Sequence, residues 1–327
     1  MKRKHKCLAL FSGGLDSTLA VIHMKKLGYE VFPMFFLTPF FGTEKAQKTA
    51  DKAGFELIVH DITETHLKMI QNPKYGFGKN LNPCIDCHGL MFYEASKLLE
   101  KYHADFIISG EVLGQRPMSQ RKDALNSVGM LSGIKDLLIR PLSQKLIADT
   151  LPIRDGWVIK DEMLDIQGRN RKRQMQLAEA YGIHYYPSPG GGCLLTDAGF
   201  SRKLKDLMDH HMFNKESIEL IKVGRHLRLD KNTKLILGRN KSENDSLSKL
   251  AQDEIVLQTK DIKGPFGLLK ATKKLTNNDI TLASSILLRY NSKIQSEAVV
   301  QFGKNHNLDN DIKVKKMDAK KVADYLI

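Results

Sequence analysis

The chain has 327 residues, 42% of them hydrophobic, and 51 Lys and Arg against 37 Asp and Glu give it a formal net charge of +14. That length predicts two domains, and the apolar content is enough for buried cores, which excludes a wholly disordered chain. Four scattered cysteines exclude a secreted disulfide framework, and the apolar runs are too short for an export core or a membrane span, so the sequence predicts a soluble, cytoplasmic protein with no membrane partner.

Taken in chain order, short apolar runs alternate with helical patterns. "CLALF" (7–11) reads as a strand, "DSTLAVIHMKKLG" (16–28) as a helix closed by Gly28, and "EVFPMFFL" (30–37) as a second strand. A helix over 43–54, a strand over 55–62, a helix over 89–103, a strand over 104–111 and one more over 137–142 follow. This alternation predicts an α/β domain with a Rossmann-like parallel sheet. Amphipathic helices are expected over 169–181 and 198–211, and a boundary near 212–230 divides the chain into a domain at 1–212 and a smaller α+β domain at 213–327. In the latter, "TKLILGRNKSENDSL" (233–247) and "DEIVLQT" (253–259) read as short strands. Charge is uneven: residues 1–200 carry a net +5 and residues 201–327 a net +9. The bland explanation is a solvated basic face; the other is an RNA-facing C-terminal domain.

"FSGGLDST" (11–18) sits where the first strand ends and the first helix begins. Such a junction presents backbone N–H groups and the positive end of the helix to an anion. Gly13 and Gly14 let the backbone approach phosphate oxygens, Ser12 and Ser17 add hydroxyls, and Asp16 can cap the helix or help hold Mg2+. The stretch lacks the Gly-Lys-Ser/Thr of a Walker A loop and is not a G-x-G-x-x-G fingerprint. As a whole, Ser-Gly-Gly-x-Asp-Ser resembles the PP-loop of the ATP pyrophosphatases, the adenine-nucleotide alpha-hydrolase superfamily. The resemblance implies cleavage of ATP between its alpha and beta phosphates and an adenylated substrate that a nucleophile then attacks.

"NPCIDCHG" (82–89) holds Cys84 and Cys87 with His88 directly after, a spacing used for haem, zinc, redox dithiols and iron–sulfur clusters alike. Together with "PGGGCLLTD" (189–197), which carries Cys193, it resembles the paired cysteine motifs of the tRNA-thiolating branch of that superfamily, the 2-thiouridylases and 4-thiouridine synthetases. The resemblance implies an ATP-dependent tRNA sulfurtransferase in which ATP adenylates a uridine carbonyl oxygen and sulfur replaces AMP, with Cys84, Cys193 and Asp16 as its catalytic residues. Two sulfur routes stay open. Cys84, Cys87 and Cys193 ligate a [4Fe–4S] cluster with one open iron, or one cysteine carries a persulfide that another resolves. A Cys3His zinc site with His88 is the structural alternative, and Cys7 reads as a small buried hydrophobe. The partners implied are tRNA and a sulfur donor: a cysteine desulfurase, a sulfur carrier or free sulfide.

"ISGEVLGQRPMSQR" (108–121) lies where that superfamily carries a second phosphate- and substrate-facing loop, which makes Ser109, Gly110 and Glu111 candidates there and Arg116 and Arg121 candidates for phosphate or RNA. "GRNRKR" (168–173) puts Arg169, Arg171, Lys172 and Arg173 at a helix start, unfavourable against the helix dipole unless an anion is present. "LILGRNKSENDSLSKL" (235–250) resembles the Gly-Arg-Asn…Glu-Asn-Asp stretch of NFACT-R-type RNA-binding domains, and "KDIKGPFGLLK" (260–270) sits at that family's ligand-facing loop. Arg239, Lys241, Lys260, Lys263 and Lys270 are its candidate RNA cations. The chain departs from the thiolation family in showing no THUMP-like or rhodanese-like segment and no β-barrel tail. The PP-loop ligases that form amides or nitriles, and a non-catalytic RNA-binding factor, are the competing functions.

Overall fold

The computed structural model describes residues 5–187, 193–304 and 307–327. The chain divides into two compact units, Met1–Thr196 and Asp197–Ile327.

The first unit is built on a five-stranded sheet in the order β3-β2-β1-β4-β5, every pairing parallel. Strand β1 (Lys6–Leu10) leads into α1 (Leu15–Lys26); β2 (Glu30–Leu37) into α2 (Glu44–Ala53); β3 (Ile58–Asp61) into α3 (Thr63–Gln71) and α4 (Cys84–Ser96). Then come β4 (Phe106–Ser109), α5 (Lys122–Ser132), β5 (Leu138–Ile139), α6 (Leu151–Arg154) and α7 (Lys172–Ala180). Strand β1 is buried on both faces: Cys7 and Ala9 join one apolar cluster with Val21 and Met24 of α1, while Leu8 joins the opposite one with Phe92 and Ala95 of α4. Such two-sided burial is what a parallel sheet covered by helices requires, and it accounts for the continuous apolar runs in the sequence.

The chain runs outward from β1 through β2 to β3, then returns to the other side of β1 as β4. This reversal is a topological switch point, and the crevice outside the carboxyl ends of β1 and β4 is where such sheets bind ligands. The loop after β1 carries Ser12–Ser17 and the loop after β4 carries Gly110 and Glu111, and the fold brings these two glycine-bearing segments together. The sequence reading omitted α3 and began the next helix at residue 89. The helix in fact begins at Cys84, so both cysteines of the first motif stand on it.

In the second unit α8 (Ala198–Asp209) and α9 (Lys215–Ile221) precede β6 (Arg225–Asp230), β7 (Thr233–Leu237), α10 (Lys241–Leu250), β8 (Ile255–Thr259), β9 (Gly267–Ala271), α11 (Asn277–Arg289), β10 (Glu297–Lys304), β11 (Asn310–Lys315) and α12 (Ala319–Ala323). The six strands form an antiparallel sheet in the order β11-β10-β8-β9-β7-β6. One face packs on α11 through Leu235, Leu237, Leu257, Ala283, Ile286 and Leu287; Leu247 of α10 and Leu220 of α9 lie in the other apolar cluster. The stretch 233–247, read as strand from sequence, is strand only to Leu237 and helix from Lys241, because Asn240 caps that helix by accepting from Glu243 N. Helix α8 falls in this unit, earlier than the boundary expected near 212–230, because Asp206 on it pairs with Arg228 and Lys234 of the sheet, each at 2.7 Å. Among the described residues no helix is long and apolar enough to cross a membrane.

Candidate active site

The loop after β1 has the form an anion site needs. Gly13 takes φ +74, where a side chain would be strained, and a Cβ there would stand 2.6 Å from Ala46 Cα. Thr49 of α2 donates its hydroxyl to Gly13 O at 3.0 Å, and Ser17 donates to Gly14 O at 2.9 Å, so the loop backbone is fixed before any ligand arrives. Asp16, in the first turn of α1, accepts from Gln115 Nε2 at 2.6 Å and Arg171 at 2.8 Å on one carboxylate oxygen. Its other oxygen, Oδ1, is buried without a partner. An unsatisfied buried carboxylate oxygen at a phosphate loop fits a magnesium ion held there with the nucleotide.

Gly110, after β4, lies against this loop: a Cβ on it would stand 2.4 Å from Ser17 N and 2.6 Å from Asp16 O. Only glycine permits that approach. The next residue, Glu111, is buried and pairs with Arg140 Nε and His88 Nδ1, each at 2.8 Å, while Ser109 donates to it at 3.3 Å. Burial alone would raise the Glu111 carboxyl, but the Arg140 guanidinium and His88 hold it down to about 2. The Ser109 hydroxyl, a nucleotide candidate, points to Glu111.

His88 links this crevice to the thiols. Cys84, Cys87 and His88 fall at i, i+3 and i+4 on α4, one face of the helix. Cys84 and Cys193 are half-buried, Cys87 is buried, and all are free thiols. Burial pushes the Cys87 thiol well up, and charge on Cys193 or Cys84 raises it further; Cys193 is pushed up to about 11 by burial chiefly. The Cys87 sulfur lies 3.2 Å from His66 Nε2, and that imidazole, held by burial down to about 4, sits between the rings of Phe40 and Phe41. Asn82 donates to the Cys84 sulfur at 3.3 Å. The second cysteine motif is anchored to the same wall by Leu194 N donating to Phe40 O at 3.1 Å; its residues 188–192 lie outside the described residues. Among the described residues no group of three His, Cys, Asp or Glu side chains is arranged to hold a metal ion. With His88 turned to Glu111, the single-ion Cys3His alternative finds no assembled donor set. Charge on Cys84 or Cys193 acts on Cys87, so the three free thiols lie near one another. Thiolates are the chemical donors of an iron–sulfur site, although these three too are not arranged around a common metal position.

Sequence reasoning did not find His66, Arg140 or Gln115. His66 lay in an unrecognised helix; Arg140, a lone cation in the apolar run 137–142, was the available signal. Cys7 is buried in the sheet, as a small hydrophobe would be. Several candidate RNA cations are already paired: Arg171 with Asp16, Arg173 with Asp165, Arg121 with Asp123, Arg239 with Glu243, Lys260 with Asp311 and Lys270 with Glu254. Arg116, Arg169, Lys172, Lys241 and Lys263 are exposed. In the second unit the Gly-Arg-Asn…Glu-Asn stretch is a clamp: Asn240 caps α10, Glu243 holds Arg239, and Asn244 donates to Gly264 O and accepts from Phe266 N. It fixes the loop that presents Lys263.

A parallel sheet with a glycine-rich loop at its switch point and cysteines on the neighbouring helix gives the first unit the form of a nucleotide-binding α/β unit, similar to the PP-loop class. Comparison with known families agrees: residues 3–145 match the family model of the thiamine biosynthesis protein ThiI, and residues 224–326 match that of the NFACT protein RNA binding domain. A tRNA-specific 2-thiouridylase MnmA from Sulfurimonas denitrificans is 34% identical over 118 residues, which are 33% of this chain and 35% of that protein. A "Probable tRNA sulfurtransferase" from Thermococcus kodakarensis is 30% identical over 147 residues, 42% of this chain and 36% of that protein. The chain therefore spans about a third of the length of the curated relatives it matches. A solved 4-thiouridine synthetase–RNA complex with bound ATP covers 55% of this chain and 52% of its own at 20% identity, with a TM-score of 0.34, a likeness too loose to argue from. Residues 3–145 are thus similar to ThiI and residues 224–326 to the NFACT RNA binding domain, each over less than half of the chain.

Proposed function

We propose that this chain is an ATP-dependent tRNA sulfurtransferase that converts a uridine to a thiouridine. One observation carries the reading: the phosphate loop and the cysteine helix meet through Gly110, packed on Asp16 and Ser17, and its neighbour Glu111, bonded to His88. Activation by ATP and displacement by sulfur both need the same carbon, so both sets of groups must serve one crevice.

In this reading the loop amides at Gly13 and Gly14 and the hydroxyls of Ser12 and Ser17 hold the pyrophosphate of ATP, and Asp16 holds the accompanying Mg2+. The uridine carbonyl oxygen attacks the alpha phosphorus; a carbon–oxygen–phosphorus link forms, and the bond to the beta phosphate breaks with its electron pair leaving on pyrophosphate. A sulfide-level nucleophile then adds to the activated carbon, and AMP leaves with the carbon–oxygen electron pair. Cys84, Cys87 and Cys193 handle the sulfur. Their thiols are the donors a [4Fe–4S] cluster would need, and such a cluster would supply an iron site for free sulfide. The alternative is a cysteine persulfide whose outer sulfur comes at the sulfane level from a desulfurase or carrier. That sulfur adds to the activated carbon as AMP leaves, and is released when a second cysteine thiol closes a disulfide that a thiol reductant later reopens. The chain's own part is to hold those thiols beside the nucleotide and away from bulk water. The exposed Lys241 and Lys263 would bind the tRNA backbone.

Nucleoside mass spectrometry of tRNA from a strain lacking the chain tests the reading. One thiouridine is expected to vanish and to return with the intact gene but not with Cys84→Ser. An unchanged set of thionucleosides would sink it.

A further inference from the structure

Between α3 and α4 the chain reads Asn72-Pro-Lys-Tyr-Gly-Phe-Gly-Lys-Asn-Leu-Asn-Pro83, a segment with no acidic residue. Tyr75 and Phe77 in it are among the exposed large hydrophobic residues of the molecule, at 44% and 39%. Lys74 and Lys79 flank them, exposed, and among the described residues neither pairs with a carboxylate. A loop that merely leaves two rings in water would be expected to be loosely held. This one is pinned at several points. The buried Asp86, two residues beyond Cys84 on α4, accepts from Lys74 N at 2.7 Å and from Tyr75 N at 3.0 Å. Gly76, at φ +70, bonds back to Pro73 O, and Gly78 N donates to Asn82 O at 3.1 Å. Asn80 reaches Thr196 O at 2.6 Å, tying the loop to the second cysteine motif. The groups that hold Cys84 and Cys193 in place thus also hold two aromatic rings out into solvent.

From this geometry we propose that the loop 73–80 is the RNA-stacking element of the first unit: Tyr75 and Phe77 stack on unpaired bases next to the target nucleotide, and Lys74 and Lys79 meet the flanking phosphates. The proposal rests on the tRNA-thiolation reading above. A base inside an RNA helix cannot reach a phosphorus atom and a sulfur at once, so the target must be splayed from its neighbours. Aromatic faces interleaved with cations accept such bases without regard to sequence, and a ring already fixed loses little freedom on binding. The alternation of ring and glycine spaces the two rings and leaves room for a base to lie against each. The absence of acidic residues favours a polyanion over a protein donor of sulfur.

The test uses the full chain with bulk tRNA at fixed moderate salt. Two readouts are taken: ultraviolet crosslinking with peptide mapping, and the tRNA dependence of thiolation in Tyr75→Ala/Phe77→Ala and in Tyr75→Trp. Crosslinks at residues 74–79 are expected. The double alanine variant should raise the tRNA KM about tenfold or more, with its thermal midpoint unchanged, and Tyr75→Trp should hold the parental value. Parental KM in the alanine variant, or crosslinks confined to other peptides, would overturn the proposal while leaving thiolation standing. Loss of transfer only from a protein sulfur donor, with KM for tRNA kept, would make the loop a protein contact and equally overturn it. Crosslinks at the loop in a protein that makes no thionucleoside would support the loop and defeat the functional reading instead.

Discussion

His88 Nδ1 stands 2.8 Å from Glu111 Oε1, and through that contact the helix that carries Cys84 and Cys87 is fastened to the segment after β4, whose Gly110 abuts the loop after β1. An ionised carboxylate can only accept, so Nδ1 of His88 is the donor in this contact. Replacing His88 with Ala should loosen the sulfur side relative to the nucleotide. Single-turnover thiolation is expected to fall about a hundredfold, as for a displacement of about 1 Å in a reacting pair, with ATP affinity kept. Thiolation at the parental rate would show the contact to be structural only.

Glu111 is the buried counter-charge of Arg140, whose side chain is itself 8% exposed. Glu111→Gln strands that guanidinium and should cost on the order of 3–5 kcal/mol of stability in denaturant unfolding. Glu111→Leu combined with Arg140→Leu should recover much of the loss. The same pair sets an acid limit. Because the folded carboxyl is held below its ordinary value, at about 2, its contribution is fully present above the ordinary glutamate range near pH 4.5. It should be lost as pH falls from there toward 2. Parental protein should thus destabilise more steeply over that window than the doubly leucine-substituted chain; parallel curves would contradict the assignment.

Gly110→Ala forces a Cβ to within 2.4 Å of Ser17 N, a backbone atom that cannot turn aside. The first turn of α1 must shift, so ATP binding by calorimetry should fall well over tenfold, about the loss expected for a misplaced phosphate cradle. Gly133→Ala is the contrasting variant: Gly133 sits at φ +69 with nothing within 4 Å of an added Cβ, so it carries backbone strain without a clash, whereas Gly110 carries a clash without positive φ. That variant should keep its ATP affinity and lose only stability.

Among the cysteines the expectations divide cleanly. Cys7 is fully buried in β1, so Cys7→Ala should cost roughly 1 kcal/mol and leave thiolation intact. Cys84→Ser, Cys87→Ser and Cys193→Ser should each abolish it. Protein purified without oxygen should show a broad band near about 400 nm that each of the three serine variants removes. Colourless, metal-free protein that still thiolates would move the account to a persulfide.

In the second unit Lys241→Glu and Lys263→Glu should each weaken tRNA binding and lower the salt slope by about one. Arg239→Ala should act differently. It breaks the Glu243 pair at the start of α10 and should be read in the thermal midpoint before it is read in RNA affinity.

The parts of this molecule that obey one local rule were legible in its sequence. The parallel sheet showed as apolar runs at βα spacing, and the phosphate loop showed because Ser12-Gly-Gly-x-Asp-Ser17 needs no distant partner to be recognised. What sequence could not show was assembled across the fold. Arg171 reads as a surface cation, and only the fold shows it paired with Asp16, far along the chain; the contact of Ser109 with Glu111 is likewise visible only in the structure. His66 carries no motif at all and matters only because α3 lays it against Cys87. The stretch 233–247 reads as one strand because its apolar start continues without a break; the Asn240 cap and the Arg239–Glu243 pair make helix of it from Lys241.

The most direct test of the account is a product balance on the purified full chain, kept free of oxygen, with ATP, Mg2+, sulfide and bulk tRNA. AMP, pyrophosphate and thiouridine should form in equal amounts, and leaving out tRNA should stop all three. AMP formed without tRNA, or with no thionucleoside in the digested RNA, would contradict it.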